Sequence, residues 1–123
     1  MAKELDSLQK QEIAVAERSA ALAAARHYVQ RSRADSTWRA YQSDWKLFET
    51  WCAKAELPAL PANPATVALF ISREAELGKS PSTLQRRLAA IRMVHLVAKH
   101  PSPHDAIEVS RVMAGVRRDK GDR

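Results

Sequence analysis

Ser82, Thr83, Gln85, Arg86 and Arg87 stand together at the start of Pro81–His100, a helically patterned stretch with no acidic residue between Glu76 and Asp105. Such groups do not break a covalent bond by themselves, but they bind. Hydroxyls and first-turn amides hold an oxyanion, and an arginine fork matches two acceptors on one edge of a guanine. The small side chains of Ala89 and Ala90 flank the set and suit entry into the wide groove of a nucleic-acid duplex. A second set of the same chemistry lies upstream, where Arg39, Ser43, Lys46 and Thr50 share one helical face with Gln42 at its margin. The plain alternative for both sets is a solvated face on a core helix, because basic runs often mean no more than that.

Other reactive residue types do not assemble into a site. Glycines at 78, 115 and 121 are too scattered for a phosphate-cradling loop. His100 and His104 are four apart, but Pro101 and Pro103 prevent the single helical turn that would aim both at one metal ion. His95 falls on an apolar stripe and reads as a hydrogen-bonded core histidine, and Cys52 shares a face with large aromatics and reads as a buried, inert thiol. Asp44, Glu49, Glu74 and Glu76 form no recognisable acid pair. The pattern is that of a binding module with no active site, no cofactor, no metal and no small-molecule substrate.

The elements that must position these groups are helices. Ser80 can cap the stretch that follows, with Pro81 at its first position, where a missing N–H costs nothing. Leu84, Leu88, Ile91, His95 and Ala98 form its core stripe, with Ser82, Thr83, Gln85, Arg86 and Arg87 expected to project outward. Beyond Arg92 the residues Met93, Val94, Leu96 and Val97 make it apolar nearly all round, which predicts burial among several helices. Upstream, Asp35 or Ser36 can cap a helix running to about Lys54, whose residues Trp38, Tyr41, Trp45, Phe48 and Cys52 recur at core spacing. The segment ELPALPAN is a loop by its prolines, and Asn63 with Pro64 starts a third helix on Val67, Phe70, Ile71 and Leu77, stopped by Gly78. After the HPSP corner, Ser102 as cap and Pro103 as first residue predict a last helix over 103–118. At the other end, Lys3 to Arg31 reads as one long helix with Leu8, Val15, Leu22 and Val29 seven apart, a narrow seam expected to pack partly on its own domain, with self-association of its front half as the lesser alternative, and broken by RSRADS.

At 123 residues the chain is long enough for one core, and its 46% hydrophobic content is ordinary for a globular protein. With three glycines and no alternating strand pattern, the class is all-α, a compact bundle of four to five helices with a long N-terminal helix. The formal charge of +6 favours polyanionic partners, and residues 80–100 hold four basic side chains and no acidic one. A single cysteine rules out an internal disulfide and fits a reducing compartment. No stretch has the length of a membrane span, and the start KELD is not a secretory signal, so a cytoplasmic protein is expected.

The segments STWRAYQSDWKLFETWC, LPALPANPATVALFI, LGKSPSTLQRRLAAIRMVH and VSRVMAGVRR, in that order over residues 36–118, resemble the N-terminal core-binding (SAM-like) domain of tyrosine recombinases, the phage-integrase family, and its Cre-like branch in particular. The resemblance implies a helical bundle that closes over one side of duplex DNA as half of a clamp. Two of its helices would lie toward the major groove, with Arg39, Ala40 and Ser43 on one and Ser82, Thr83, Arg86 and Arg87 on the other. It also implies that catalysis, through a tyrosine nucleophile that takes a DNA phosphate, belongs to a second domain, and that first and last helices meet neighbouring subunits of a tetramer on DNA. Residues 1–34 match the family poorly. The expected division is therefore an N-terminal helix at 1–34, partly disordered in its first dozen residues, a DNA-binding domain at 35–118, and the start of a linker at 119–123. A helical protein-interaction module without DNA recognition is the alternative.

Overall fold

A computed structural model describes residues 1–32 and 35–121. It contains five helices: α1 (Ala2–Arg31), α2 (Asp35–Lys54), α3 (Pro64–Glu76), α4 (Pro81–Val97) and α5 (Ile107–Lys120). Among the described residues there is no strand, so the all-α class holds. Arg33 and Ala34 of the expected break RSRADS, and Asp122 and Arg123 of the expected linker, lie outside the described residues. The backbone divides into two compact units, Met1–Thr37 and Trp38–Arg123.

The first unit is dominated by α1, which has no buried residue. Leu8, Val15, Leu22 and Val29 of its seven-residue stripe are each about half exposed. The stripe therefore exists as a surface of that unit and not as part of a core.

In the second unit the core is built from Phe48, Cys52, Val67, Phe70, Ile71, Leu84, Leu88, Ile91, Val109 and Met113. α3 packs closely on α5, and both approach α4, whereas among the described residues of this unit the backbone of α2 comes close to none of α3, α4 and α5. Long side chains bridge the gap instead. Phe48 meets Phe70 edge-on at 5.1 Å between ring centroids, Trp51 meets Phe70 at 5.6 Å, and Trp45 meets the His95 ring at 6.0 Å. Such tilted and edge-on contacts suit the charge distribution of aromatic rings and add to the area they bury. Trp38 and Tyr41 pack edge-to-face at 6.2 Å and stay half-buried, so the wedge expected to be core throughout is buried only at Phe48 and Cys52, with Trp45 half-buried against them.

Local sequence accounts for most helix ends. Ser80 accepts a bond from the Thr83 amide at 3.3 Å, and Pro81 and Pro64 occupy the opening turns of α4 and α3. Gly78, at φ 98°, ends the α3 region, with the Lys79 amide donating to the Glu74 carbonyl. Two non-glycine residues take the same left-handed corner: Glu56 after α2 and Lys99 after α4, at φ 58° and 62°. The helix expected to reach His100 thus stops at Val97, and the His100 amide bonds back to the His95 carbonyl. Its end is also less buried than its composition suggests, with Leu96 exposed and Val97 78% exposed, because α3 and α5 are the helices whose backbones approach it among the described residues and Val97 only lines an open groove facing α2. The last helix begins at Ile107 and not at Pro103. Pro103 starts a tight turn, its carbonyl bonded by the Ala106 amide, while Ser102 accepts from the His104 amide within that turn.

Cys52 is enclosed in the core, and burial pushes its thiol up to about 11. At pH 8 a thiol reagent such as dithionitrobenzoate is expected to leave the native chain unlabelled and to react at once in urea. Stoichiometric labelling without denaturant would show that the aromatic layer around it is open.

Candidate nucleic-acid interface

The two polar sets map onto α2 and α4. On α2, Arg39, Ser43, Lys46 and Thr50 are exposed and Ala40 is half-buried. On α4, Ser82, Gln85 and Arg86 are exposed, Thr83 is half-buried, and Arg87 is 5% exposed. The expectation that Arg87 projects outward is therefore corrected. At about 100° of rotation per residue, Arg87 is turned about a quarter-circle away from Arg86, onto the flank that meets α2 and α3.

What draws Arg87 inward is a pair of interior carboxylates. Asp44 on α2 is 2% exposed and Glu74 on α3 is also buried. Arg87 donates from Nη1 to Asp44 Oδ1 and from Nε to Glu74 Oε1, the latter at 3.1 Å. Asp44 is shared with the neighbouring arginine as well. Arg86 donates from Nε to Asp44 Oδ2 at 2.8 Å and from Nη2 to Oδ1 at 3.3 Å, while half of its side chain remains in solvent. The carboxylate holds the Arg86 pKa above the ordinary arginine value, first through these hydrogen bonds and then through its charge. Two arginines and two carboxylates make a cluster with no formal net charge that ties α2, α3 and α4 together.

Asp44 sits on the border of the exposed arc of α2. Turning one way by about 40° leads to Phe48 in the core, and turning the other way by about 40°, 100° and 140° leads to Ala40, Ser43 and Arg39. Arg86 thereby joins the start of α4 to the polar arc of α2. At the N-terminus of α4, Ser80 Oγ lies 3.2 Å from both Ser82 Oγ and Thr83 Oγ1, a cluster of hydroxyls beside the free amides of the first turn. Ser43, Lys46 and Thr50 also line a groove between α2 and α3, whose far wall supplies Arg73 and whose end supplies Lys54. Such an array of cations, hydroxyls and amides can neutralise phosphates and offer donors to base edges; it has no nucleophile and base in contact.

Sequence reasoning missed Asp44, Glu74, Lys54 and Arg73. For the two acids the clue was present: Asp44, three after Tyr41 and four before Phe48, falls at the edge of the apolar stripe of α2, and Glu74 falls between Phe70 and Ile71 on that of α3. An acid at such a position demands an interior cation. Among the described residues no group of three or more His, Cys, Asp or Glu side chains could hold a metal ion, and no helix is long and apolar enough to cross a membrane.

Comparison with known proteins adds an independent line. Residues 25–101 match the family described as phage integrase, N-terminal SAM-like domain. An integrase/recombinase xerD homolog from Selenomonas ruminantium is 34% identical over 100 residues, covering 79% of this chain and 29% of that protein. Recombinase cre of Escherichia phage P1 is 27% identical over 88 residues, covering 72% of this chain and 26% of its own length. The chain thus spans less than a third of either relative.

Proposed function

This chain belongs to the phage integrase N-terminal SAM-like domain family, and from that premise we propose that it is the non-catalytic, DNA-binding part of a site-specific tyrosine recombinase. It holds one side of duplex DNA through the outer faces of α2 and α4. Arg39, Ser43 and Lys46 on α2, and Ser82, Thr83, Gln85 and Arg86 on α4, make the contacts, with Ala40 giving the groove wall room to approach. Arg87 is not among them. The observation that carries this reading is the joining of the two polar faces through Arg86 and Asp44, on a chain whose α4 region holds no acidic residue between Glu76 and Asp105.

Strand cleavage is assigned to none of these residues. In the parent recombinase it falls to a second domain, in which a tyrosine takes a DNA phosphate. Copies assemble on DNA as a tetramer, and the half-exposed stripe of α1 is the surface offered for a helix–helix contact between them. The same stripe is what favours the other reading, a protein-interaction module with a merely solvated basic face.

Titration of the chain with short duplexes at two salt concentrations separates the two. If about four phosphates are neutralised, affinity should fall about a hundredfold between 50 and 200 mM salt. Lys46→Ala should weaken binding to every sequence alike and lower the salt slope by about one. A salt-insensitive dimer that retains no duplex would leave the interaction-module reading standing and remove this one.

A further inference from the structure

We propose that Asp44 is a positioning residue for base readout: from the interior it fixes the Arg86 guanidinium at the surface and offsets its charge, so that Arg86 distinguishes base pairs instead of clinging to any phosphate. The inference rests on the duplex-binding reading above.

The first support is the division of the guanidinium between two environments. An arginine carries five N–H donors in a planar fork, and Asp44 takes one from Nε and one from Nη2. Those two lie along one edge. The end-on edge, with one Nη1 hydrogen and the second Nη2 hydrogen, remains as the pair-forming edge that can meet O6 and N7 of a guanine. Asp44 is enclosed, so the edge it holds is turned to the interior, and half of the Arg86 side chain remains in solvent, which leaves the end-on edge as the one available to a base.

The second support is that Asp44 is itself immobile. It is enclosed, and its Oδ1 is also bound by the buried Arg87 guanidinium, so the carboxylate cannot follow Arg86 if that side chain swings. An unheld arginine samples many rotamers and must lose that freedom on binding, whereas this one is already in place.

The third is charge. Glu74, Arg87, Asp44 and Arg86 sum to zero, so Arg86 adds little to the general attraction for phosphate. A base-reading arginine without surplus charge improves the ratio of specific to non-specific binding, because non-specific binding is almost wholly electrostatic.

The experiment is selection from a pool of randomised duplexes, followed by titration of the preferred and of a random-sequence duplex at two salt concentrations. Wild type, Asp44→Asn, Arg86→Lys and Phe48→Leu are compared at matched fractions folded. For Asp44→Asn the preference for the selected duplex should fall about tenfold or more, while the random duplex binds more tightly and with a salt slope steeper by about one. Arg86→Lys keeps the charge but not the fork, and should lose preference at the same base position. Phe48→Leu, a core change that alters neither charged group nor its hydrogen-bonding atoms, should keep it. Unchanged preference in folded Asp44→Asn overturns the proposal, as does an equal loss in Phe48→Leu. Should Asp44→Asn not fold, Asp44→Glu decides, since it keeps the charge and displaces the carboxylate: retained preference overturns the positioning role, and lost preference at the Arg86-dependent position with an unchanged salt slope supports it. A wild-type chain that binds duplex with no base preference overturns this inference alone; one that retains no duplex overturns the binding reading with it.

Discussion

Replacing Arg87 by methionine is expected to lower the stability of the helical unit by about 3–5 kcal/mol, the usual cost of removing one partner from an interior ion pair. The side chain is enclosed and is bonded by two carboxylates that are enclosed as well. Without it, Glu74 loses its bond from Nε and its interior cation, and Asp44 must be held by Arg86 alone. Methionine fills much of the volume, so the loss reports electrostatics and hydrogen bonding more than a cavity. Equilibrium urea unfolding gives the number, and an unchanged m-value would show that the denatured state is not the cause. The control is Arg86→Met, which removes a half-exposed arginine from the same carboxylate and should cost about 1 kcal/mol or less. If Arg87→Met proved as stable as the parent and lost only affinity for duplex, the interior placement of Arg87 would be wrong.

The second large effect concerns His95. Its ring is fully enclosed: Nε2 accepts from the Ala62 amide at 2.9 Å, and Nδ1 donates to the Ile91 carbonyl at 2.8 Å. Both nitrogens are satisfied in the neutral ring, and a proton added at Nε2 would face an N–H. Burial pushes the pKa below the ordinary 6.5, the charge of His100 pushes the same way, and the bond to Ile91 opposes them. The unfolded chain therefore takes up the proton first as pH falls. Stability from this group is complete above about pH 6.5 and declines as pH drops below it, by at most about 1.4 kcal/mol per unit, until the folded ring also protonates. His95→Ala should remove that segment of the pH profile. It should also cost about 2–4 kcal/mol at pH 8, through the orphaned Ala62 amide and the space left beside Trp45. A variant that keeps the parental slope between pH 7.5 and 5 would mean that another group titrates.

These two residues show how far the sequence reached. His95 was legible because its stripe, shared with Leu84, Leu88 and Ile91, left no other direction for the ring. Ser80 with Pro81, Asn63 with Pro64, and Gly78 marked their helix ends correctly because each acts locally, Ser80 through its hydroxyl and the prolines and glycine through backbone geometry. Arg87 was misread because charge was equated with exposure, although Asp44 and Glu74 lay on apolar stripes that required an interior cation. The ends at Lys99 and Pro103 were misread for a different reason: a lysine in a left-handed corner and a proline that opens a turn carry no local mark that separates them from helical use. Leu96 and Val97 look like core by composition, and only the placement of α3 and α5 leaves them outside.

The standing-off of α2 from its neighbours, spanned by rings and ion pairs in place of close backbone contact, has a bearing on redesign. A helix seated through Phe48, Trp51 and Asp44 keeps its seat whatever occupies its outer rim. Under the proposed duplex-binding role, Arg39, Ser43 and Lys46 are then an interchangeable lettering, open to exchange without re-solving the interior.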